Sequence, residues 1–290
     1  RQPFTYLLTG NLAVNVYDFN IPLSFTFANQ QFQFSQPFNQ VGASPSYKWA
    51  KLHIGHRNLV WSQYTLAGHQ MLGAGAEITP GKFRASFMYG RLQKSVPEDT
   101  TLISLRRPAY KRNGYGLRIG YGTSSDFIDL IFFKAEDDEN SLSDTEIPET
   151  ITPGENLVIG LNTRQAFFKN KLSFFLDTAI STWVLDKTLT GNALELPSYL
   201  SWVDGVISLN ESAQYYTALK GGLNLNLRNF GLKGTVQRID SDYRSMGIYF
   251  VNNDVLAYTI APSLSFLKGN LRLNGGLTLQ RDNLNDKKAF

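Results

Sequence analysis

The three histidines of the chain, His53, His56 and His69, lie within seventeen residues of one another and suggest metal binding or acid–base catalysis. Imidazole side chains ligate transition metals and titrate near neutral pH. In a β-strand, however, residues 53 and 56 point to opposite faces, so one ion cannot bind both without a bend. No carboxylate lies nearby before Glu77. The pattern therefore favours hydrogen-bonding roles, and we predict no metal site and no cofactor.

Ser62 offers the only serine–histidine pairing, with His56 or with His69. A serine nucleophile needs a base within hydrogen-bond reach and a third group that orients the base. The Gly-x-Ser-x-Gly turn that presents the nucleophile in many hydrolases is missing from the sequence. We therefore predict no catalytic residues and no enzyme, and a membrane-embedded hydrolase is the least favoured function.

Two polar segments are candidates for binding sites. The acidic run Glu136–Glu139, continuing to Asp144, Glu146 and Glu149, offers carboxylates for calcium but lacks the regular spacing and glycine of a calcium-binding loop. The run Ser241–Asn253 combines polar and aromatic residues that could contact a glycan or a protein. For both segments the favoured interpretation is a loop, solvated in the first case and structured at a rim in the second.

The elements that carry these residues have an alternating pattern of apolar and polar side chains. Between Tyr215 and Leu227, apolar residues and one glycine occupy almost every odd position, while the even positions are polar or small. Alternation of this kind gives a β-strand one apolar and one polar face. The pattern recurs about a dozen times in runs of about ten residues, the length of a membrane-crossing strand. We predict an all-β fold, an antiparallel transmembrane β-barrel with about 12–14 visible strands.

Connection lengths support this prediction. Short turns such as Thr79–Lys82 and Phe168–Lys171 alternate with long polar connections such as Gln93–Pro108 and Leu185–Ser212, as in outer-membrane barrels. The 20 Phe, 14 Tyr and 4 Trp residues suggest aromatic girdles at the strand ends. The aromatic residues that we assign to strand ends are Tyr89, Tyr115, Tyr121, Phe127, Trp183 and Tyr215. The alternative is a soluble β-sandwich, whose strands are usually shorter and less regular.

Three features of the strand pattern remain open. The stretch Asn29–Leu66 must hold an even number of crossings, but it contains one clear candidate, Tyr47–Ile54. Either a second strand lies in Phe32–Phe38 or Leu59–Leu66, or the Tyr47 segment does not cross. Pro262, in mid-strand, has no backbone N–H to donate to a neighbouring strand, so we predict a bulge or a rim position there. We treat residues 1–290 as one barrel domain that is part of a larger barrel continuing past the last residue.

Alternation also predicts which charged side chains face the lumen. The predicted lumen-lining cations are Arg84, Arg118, Arg164, Lys220, Lys233 and Arg272, and the predicted anions are Glu77, Asp129 and Asp177. An excess of cations would favour anionic solutes in an open barrel. Alternatively, the charges pair across the lumen and fill it. The sequence leaves both possibilities open.

Composition excludes several classes of protein. The chain has no cysteine, so disulfides and thiolate metal sites are excluded, and no apolar run is long enough for a transmembrane helix. The net charge is +4, but lysine and arginine are not clustered densely enough to predict nucleic-acid binding. The expected partners are outer-membrane lipid and envelope proteins.

Several short runs are distinctive: Gln2–Tyr6, Gln36–Gln40, Gly55–Leu59, Arg238–Gly247 and Leu279–Leu284. Together they resemble a family of large, functionally uncharacterised outer-membrane β-barrel proteins of Bacteroidota. The resemblance implies a location in the bacterial outer membrane and brings no catalytic residues. The expected function is a channel, or the membrane part of a transport or surface-assembly complex. The alternative is a structural scaffold of a secretion or assembly machine.

Overall fold

The computed structural model describes residues 4–29, 39–98, 108–143, 151–191, 203, 205–267 and 270–286. Sixteen strands and one short 3-10 helix (Glu139–Ser141) make up the regular structure of these residues. The strands are β1 (Leu7–Val16), β2 (Phe19–Ala28), β3 (Gln40–Ala43), β4 (Ser46–Tyr47), β5 (Ala50–Ser62), β6 (Leu66–Ile78), β7 (Phe83–Gln93), β8 (Lys111–Gly122), β9 (Phe127–Asp138), β10 (Glu155–Phe167), β11 (Leu172–Val184), β12 (Ala213–Asn226), β13 (Phe230–Ile239), β14 (Val255–Phe266), β15 (Leu271–Asn274) and β16 (Leu277–Arg281). Within these residues no helix is long and apolar enough to span a membrane.

All sixteen strands belong to one antiparallel sheet whose order follows the chain. Two positions in the sheet are each occupied by a pair of short strands: β3 and β4 both pair with β2 and β5, and β15 and β16 both pair with β14. The sheet therefore has fourteen strand positions, in agreement with the predicted number. The predicted all-β antiparallel fold is confirmed. In the described ranges, no pairing joins β1 to the last strand.

A proline accounts for each of the two places where a pair of short strands replaces one continuous strand. Pro45 separates β3 from β4, and the two pieces keep one register against β2. Pro262 lies on β14 opposite the gap between β15 and β16, where Gly275 N donates to Pro262 O at 3.0 Å. Because proline has no N–H, the ladder is broken locally while the register on both sides is preserved. The bulge or rim position predicted at Pro262 is thus wrong, and a gap in the partner strand takes its place.

The open question of strand number between Asn29 and Leu66 has a clear answer in the described residues. The predicted strand Tyr47–Ile54 is wrong in its bounds, because the chain reverses at Lys48, where φ is +51°, and Trp49. One crossing precedes this turn (β3 with β4), and one follows it (β5). The possible strand at Phe32–Phe38 lies outside the described residues.

The central strands have one exposed apolar face and one buried face turned towards the protein interior, whereas β1, β15 and β16 are exposed almost throughout. On β9, Ile128 and Leu130 are exposed, whereas Ile131 and Phe133 are fully buried. The predicted aromatic positions Tyr89, Tyr115, Tyr121 and Tyr215 lie on the exposed face. Phe127 and Trp183 do not, because their strand positions have the opposite parity: Arg84 and Arg244 lie over their rings at 4.5 and 5.0 Å.

One part of the outer face is covered by the protein itself. Leu157 on β10 is buried by Val203 and Ile207, which belong to the long β11–β12 connection. Beneath this connection, Lys134 Nζ lies 2.7 Å from Glu155 Oε1 and donates to Val206 O at 2.8 Å. Val203 and Ile207 thus pack against the outside of the wall at the end of the sheet where the long loops lie.

The sheet curves around a core formed by its own inner face. A continuous apolar cluster joins Trp61 and Met71 of β5 and β6 to Ile131 of β9, Val158 of β10 and Ala218 of β12. Strands this far apart in one sheet can contact the same core only if the sheet bends around it. The inner face is therefore the inside of a barrel-like wall.

Candidate functional site

Ser62 does not pair with a histidine. Its Oγ donates to Asp177 Oδ1 on β11 at 2.6 Å, across the interior of the sheet. His56 Nδ1 contacts the backbone of Val41, and His69 Nδ1 contacts Gln70 O at 3.0 Å. The serine–histidine pairing required for the hydrolase alternative is therefore not formed.

The histidines also fail to assemble as metal ligands. His53 lies on the inner face of β5, and His56 lies on its outer face, as alternation predicts. Within the described residues, no group of three or more histidine, aspartate or glutamate side chains is arranged to hold a metal ion. Asp144, Glu146 and Glu149 of the acidic run lie outside the described residues.

His53 instead belongs to a network that the sequence did not reveal. Its Nδ1 lies 3.0 Å from Ser44 Oγ, and its Nε2 lies 2.8 Å from Glu77 Oε1. The order serine–histidine–glutamate is that of a hydrolytic triad, but Ser44 and His53 are only 7% and 4% exposed. The network joins three neighbouring strand positions, and its burial gives it a structural role. The sequence alone could not pair His53 with Glu77, because this contact depends on the register between β5 and β6.

Charged residues on the inner face of β6–β9 are paired with one another. Arg84 Nε and Nη2 each lie 2.8 Å from a carboxylate oxygen of Asp129, a bidentate contact. Arg118 Nη2 lies 3.4 Å from Glu77 Oε2. We call Glu77, Arg84, Arg118 and Asp129 the paired wall. Bidentate arginine–carboxylate contacts are among the strongest in proteins, and they satisfy charges that would otherwise be buried alone.

A glycine makes the principal pair possible. A Cβ atom at Gly120 of β8 would lie 1.9 Å from Asp129 Oδ1. Since Gly120 and Asp129 are directly opposite in the β8–β9 ladder, the missing side chain leaves space for the Asp129 carboxylate to reach Arg84. The pair therefore depends on the residue at 120 as well as on its two charged members.

The remaining predicted lumen cations are not paired in this way. Arg164, Lys233 and Arg272 lie on the inner face of β10, β13 and β15, and all three are exposed. The described residues provide no ion-pair partner for any of them. We call these three residues the cationic wall. Lys220 differs, because it lies opposite Asp177 in the β11–β12 ladder.

All nine predicted lumen residues thus lie on the inner face, and the three anions are all close to a cation. Glu77 and Asp129 contact Arg118 and Arg84, and Asp177 lies opposite Lys220. The excess positive charge is concentrated on the cationic wall. That these residues line a water-filled lumen stays a prediction.

Two segments from the long-loop end fold into the interior. We call them the inner plug: the β5–β6 hairpin tip (residues 62–66) and the β13–β14 connection (residues 240–254). Tyr243 donates through its hydroxyl to Tyr64 O at 2.5 Å, and Ser245 Oγ donates to Thr65 O at 2.7 Å. The plug also contacts the wall at β11, since Ser181 Oγ donates to Arg244 O at 2.6 Å.

The centre of the inner plug is buried, with Tyr64 and Tyr243 2% and 0% exposed, whereas Tyr249 and Phe250 at its outer end are exposed. Desolvation raises the pKa of the phenols of Tyr64 and Tyr243, and the negative charge of Asp177 adds to this effect. Both phenols therefore stay neutral at ordinary pH, which suits a packed apolar environment. The plug occupies the interior at the long-loop end, whereas polar and charged side chains lie on the inner face at the short-turn end. The sequence placed Ser241–Asn253 at the rim, but its length alone could not show that it turns inward.

No family model and no curated protein matches the chain. Similar solved structures include two Pseudomonas aeruginosa proteins, OccK11 (OpdR) and OccK5 (OpdH). The first has a TM-score of 0.46 and 11% identity over 96% of this chain and 73% of that chain. The second has a TM-score of 0.47 and 10% identity over 95% and 75%. A BenF-like porin from Pseudomonas fluorescens Pf-5 has a TM-score of 0.45 and 9% identity over 95% and 74%. Likeness of this degree carries no argument about solute, partner or mechanism.

Proposed function

We propose that this chain is an integral β-barrel of the bacterial outer membrane that acts as a channel in solute transport. The observation that carries the proposal is the exposed apolar outer face. Large apolar side chains such as Leu130 and Ile260, 58% and 55% exposed, recur on neighbouring strands around the sheet. Water-soluble proteins rarely expose a continuous apolar surface of this extent. Hydrocarbon is the solvent that accommodates it.

The backbone is consistent with a location in hydrocarbon. Strands β5–β12 pair in register over most of their length, so their N–H and C=O groups are satisfied by neighbouring strands. In a bilayer each unsatisfied backbone group costs several kcal/mol, and a β-sheet can cross only when its strands are paired. Short turns at one end and long connections at the other agree with periplasmic and extracellular ends, respectively.

The channel part of the proposal is supported by the polar inner face at the short-turn end. Ser263, Ser265 and Asn274 lie beside Arg272 there, and water can hydrate all of these groups. The inner plug narrows the opposite end. We therefore propose a constricted channel with a wider, cation-lined chamber on the periplasmic side, rather than a wide open pore. An excess of fixed positive charge in such a chamber attracts anions.

We infer from the distinctive sequence runs that the protein is related to the large barrels of Bacteroidota. No observation favours the scaffold alternative, and protein partners in the envelope stay a prediction.

Two measurements test the proposal. First, the protein should need detergent to remain monodisperse and folded, and a folded monomer in plain buffer would contradict a membrane location. Second, the folded protein should give discrete conductance steps in planar bilayers, with anions preferred over cations. Insertion that is verified by protease protection, but gives no ion current, would contradict the channel.

A further inference from the structure

A cavity of about 430 Å³ lies on the inner face at the short-turn end of β12–β15. It is lined by two arginines, Arg228 and Arg272, by asparagine and serine side chains, and by three apolar residues, Leu227, Phe230 and Leu264. Its neutral hydrogen-bond donors include Asn226, Asn274, Ser263 and Ser265. The cavity lies outside the inner plug and shares only Arg272 with the cationic wall.

The charges of this cavity are all positive. Its described lining contains both arginines and no aspartate or glutamate. Within the described residues neither arginine has an ion-pair partner. Each guanidinium group presents several N–H donors in a fixed planar arrangement that matches the oxygens of a carboxylate or phosphate. On the paired wall the same kind of side chain is already bound to a protein carboxylate, whereas here it is available to a ligand.

Gly231 keeps the cavity open. A Cβ atom at this position would lie 2.4 Å from Ser263 Oγ, so any larger residue would push into the serine and the space beside it. The amides of Asn226 and Asn274 and the hydroxyls of Ser263 and Ser265 can donate to oxygens of an anion that the arginines leave unbound.

We propose that this cavity binds a small soluble dianion carrying carboxylate or phosphate groups. The role of this cavity rests on the proposed function. In the channel, the cavity would be the first site that an anion meets at the periplasmic end. Two fixed cations and four neutral donors suit two anionic groups, or one doubly charged group. Because the cavity lies on the inner face of the proposed barrel, away from the apolar outer surface, the ligand is a solute rather than a lipid headgroup.

Isothermal titration calorimetry on the purified protein in detergent at low salt tests the site. The probes are succinate, inorganic phosphate and the neutral analogue succinamide. We expect at least one of the two anions to bind and succinamide not to bind. In the double variant Arg228→Gln/Arg272→Gln, affinity should fall at least tenfold. Absence of binding of both anions to the unaltered protein would overturn the proposal.

A matched control removes the same amount of charge at the same end of the sheet. Lys82 and Lys169 lie in exposed short turns and do not line the cavity. The variant Lys82→Gln/Lys169→Gln should bind the anions within about twofold of the unaltered protein, because exposed charges at a distance are screened by salt. An equal loss in both double variants would show that net charge, rather than the cavity, attracts the anion.

Gly231→Val provides a second test without changing charge. It should weaken binding by filling the cavity, provided that the variant keeps its folded, heat-sensitive migration on gels. A folded Gly231→Val protein with unchanged affinity would place the anion elsewhere. Binding is measured in detergent without ion flow. If the site binds anions but bilayers show no current, the channel proposal fails while the site stands.

Discussion

The paired wall and the cationic wall carry the same kinds of basic side chain on one inner face but differ in what surrounds them. Arg84 and Arg118 are largely buried, with 17% and 10% of their side chains exposed, and each contacts a carboxylate. Arg164, Lys233 and Arg272 are exposed and have no such contact in the described structure. Burial decides the difference, because a buried charge must be compensated, whereas an exposed charge is hydrated. Unpaired cations can therefore persist only where the interior is wide enough for water.

The same contrast separates stability from function. Removing a member of the paired wall should destabilise the fold, whereas removing a member of the cationic wall should change what the protein attracts. The first group positions the strands, and the second sets the electrostatic potential of the chamber.

The largest effect is expected for Asp129→Ala. The substitution leaves the largely buried Arg84 without its bidentate partner, and breaking a buried pair of this kind costs about 3–5 kcal/mol. The free energy of unfolding, measured by urea titration in detergent or in lipid vesicles, should fall by that amount. Arg272→Ala on the cationic wall is the matched comparison and should change stability by less than about 0.5 kcal/mol. Equal losses in the two variants would contradict the division into two walls.

A smaller loss is expected for Gly120→Ala. The new methyl group would meet the Asp129 carboxylate and displace it from Arg84. Overpacking at such a position typically costs about 1–3 kcal/mol. The control is Gly234→Ala on β13, where a Cβ atom meets nothing within 4 Å, so its stability should be unchanged or slightly higher. If Gly120→Ala is as well tolerated as Gly234→Ala, the carboxylate does not need the space that the glycine leaves.

Ser62→Ala tests the contact between the inner plug and the wall. The variant removes the hydrogen bond to Asp177 and leaves that carboxylate less well satisfied, at a cost of about 1–3 kcal/mol. Because the contact holds the hairpin tip against β11, the variant should also show more frequent current openings in bilayers. Ser125→Ala, in an exposed turn, should affect neither property. Unchanged stability and current in Ser62→Ala would show that neither property depends on the Ser62–Asp177 hydrogen bond.

The sequence predicted strands and their faces well because alternation is a local property. The residues Ile128, Leu130 and Asp129 were assigned to the correct faces from their parity alone. The prediction from sequence failed where the position of a turn or of a strand end decided the structure. Lys48 and Trp49 form a turn inside an alternating run, and Trp183 was assigned to a girdle although its parity turns it inward.

Long-range contacts explain why the site was only half predicted. Six cations and three anions could be placed on the inner face, but which of them pair depends on register between strands. Arg84 meets Asp129 because β7, β8 and β9 are aligned so that Gly120 lies between them. The inner plug was missed for a related reason. Its contacts join Tyr64 to Tyr243, 179 residues apart, and no local pattern marks that pairing.

The smallest effect should come from the cationic wall. In the variant Arg164→Gln/Lys233→Gln, two exposed charges are lost without breaking any ion pair among the described residues. Reversal potentials in planar bilayers should show a preference for anions that is reduced by less than about tenfold. The difference between the variant and the unaltered protein should vanish at about 1 M salt, where the screening length is about 3 Å. The single turn variant Lys169→Gln should leave the preference unchanged. A selectivity that survives both high salt and the loss of these charges would have to come from pore size or from the plug. In that case the contrast between the two walls would describe stability alone.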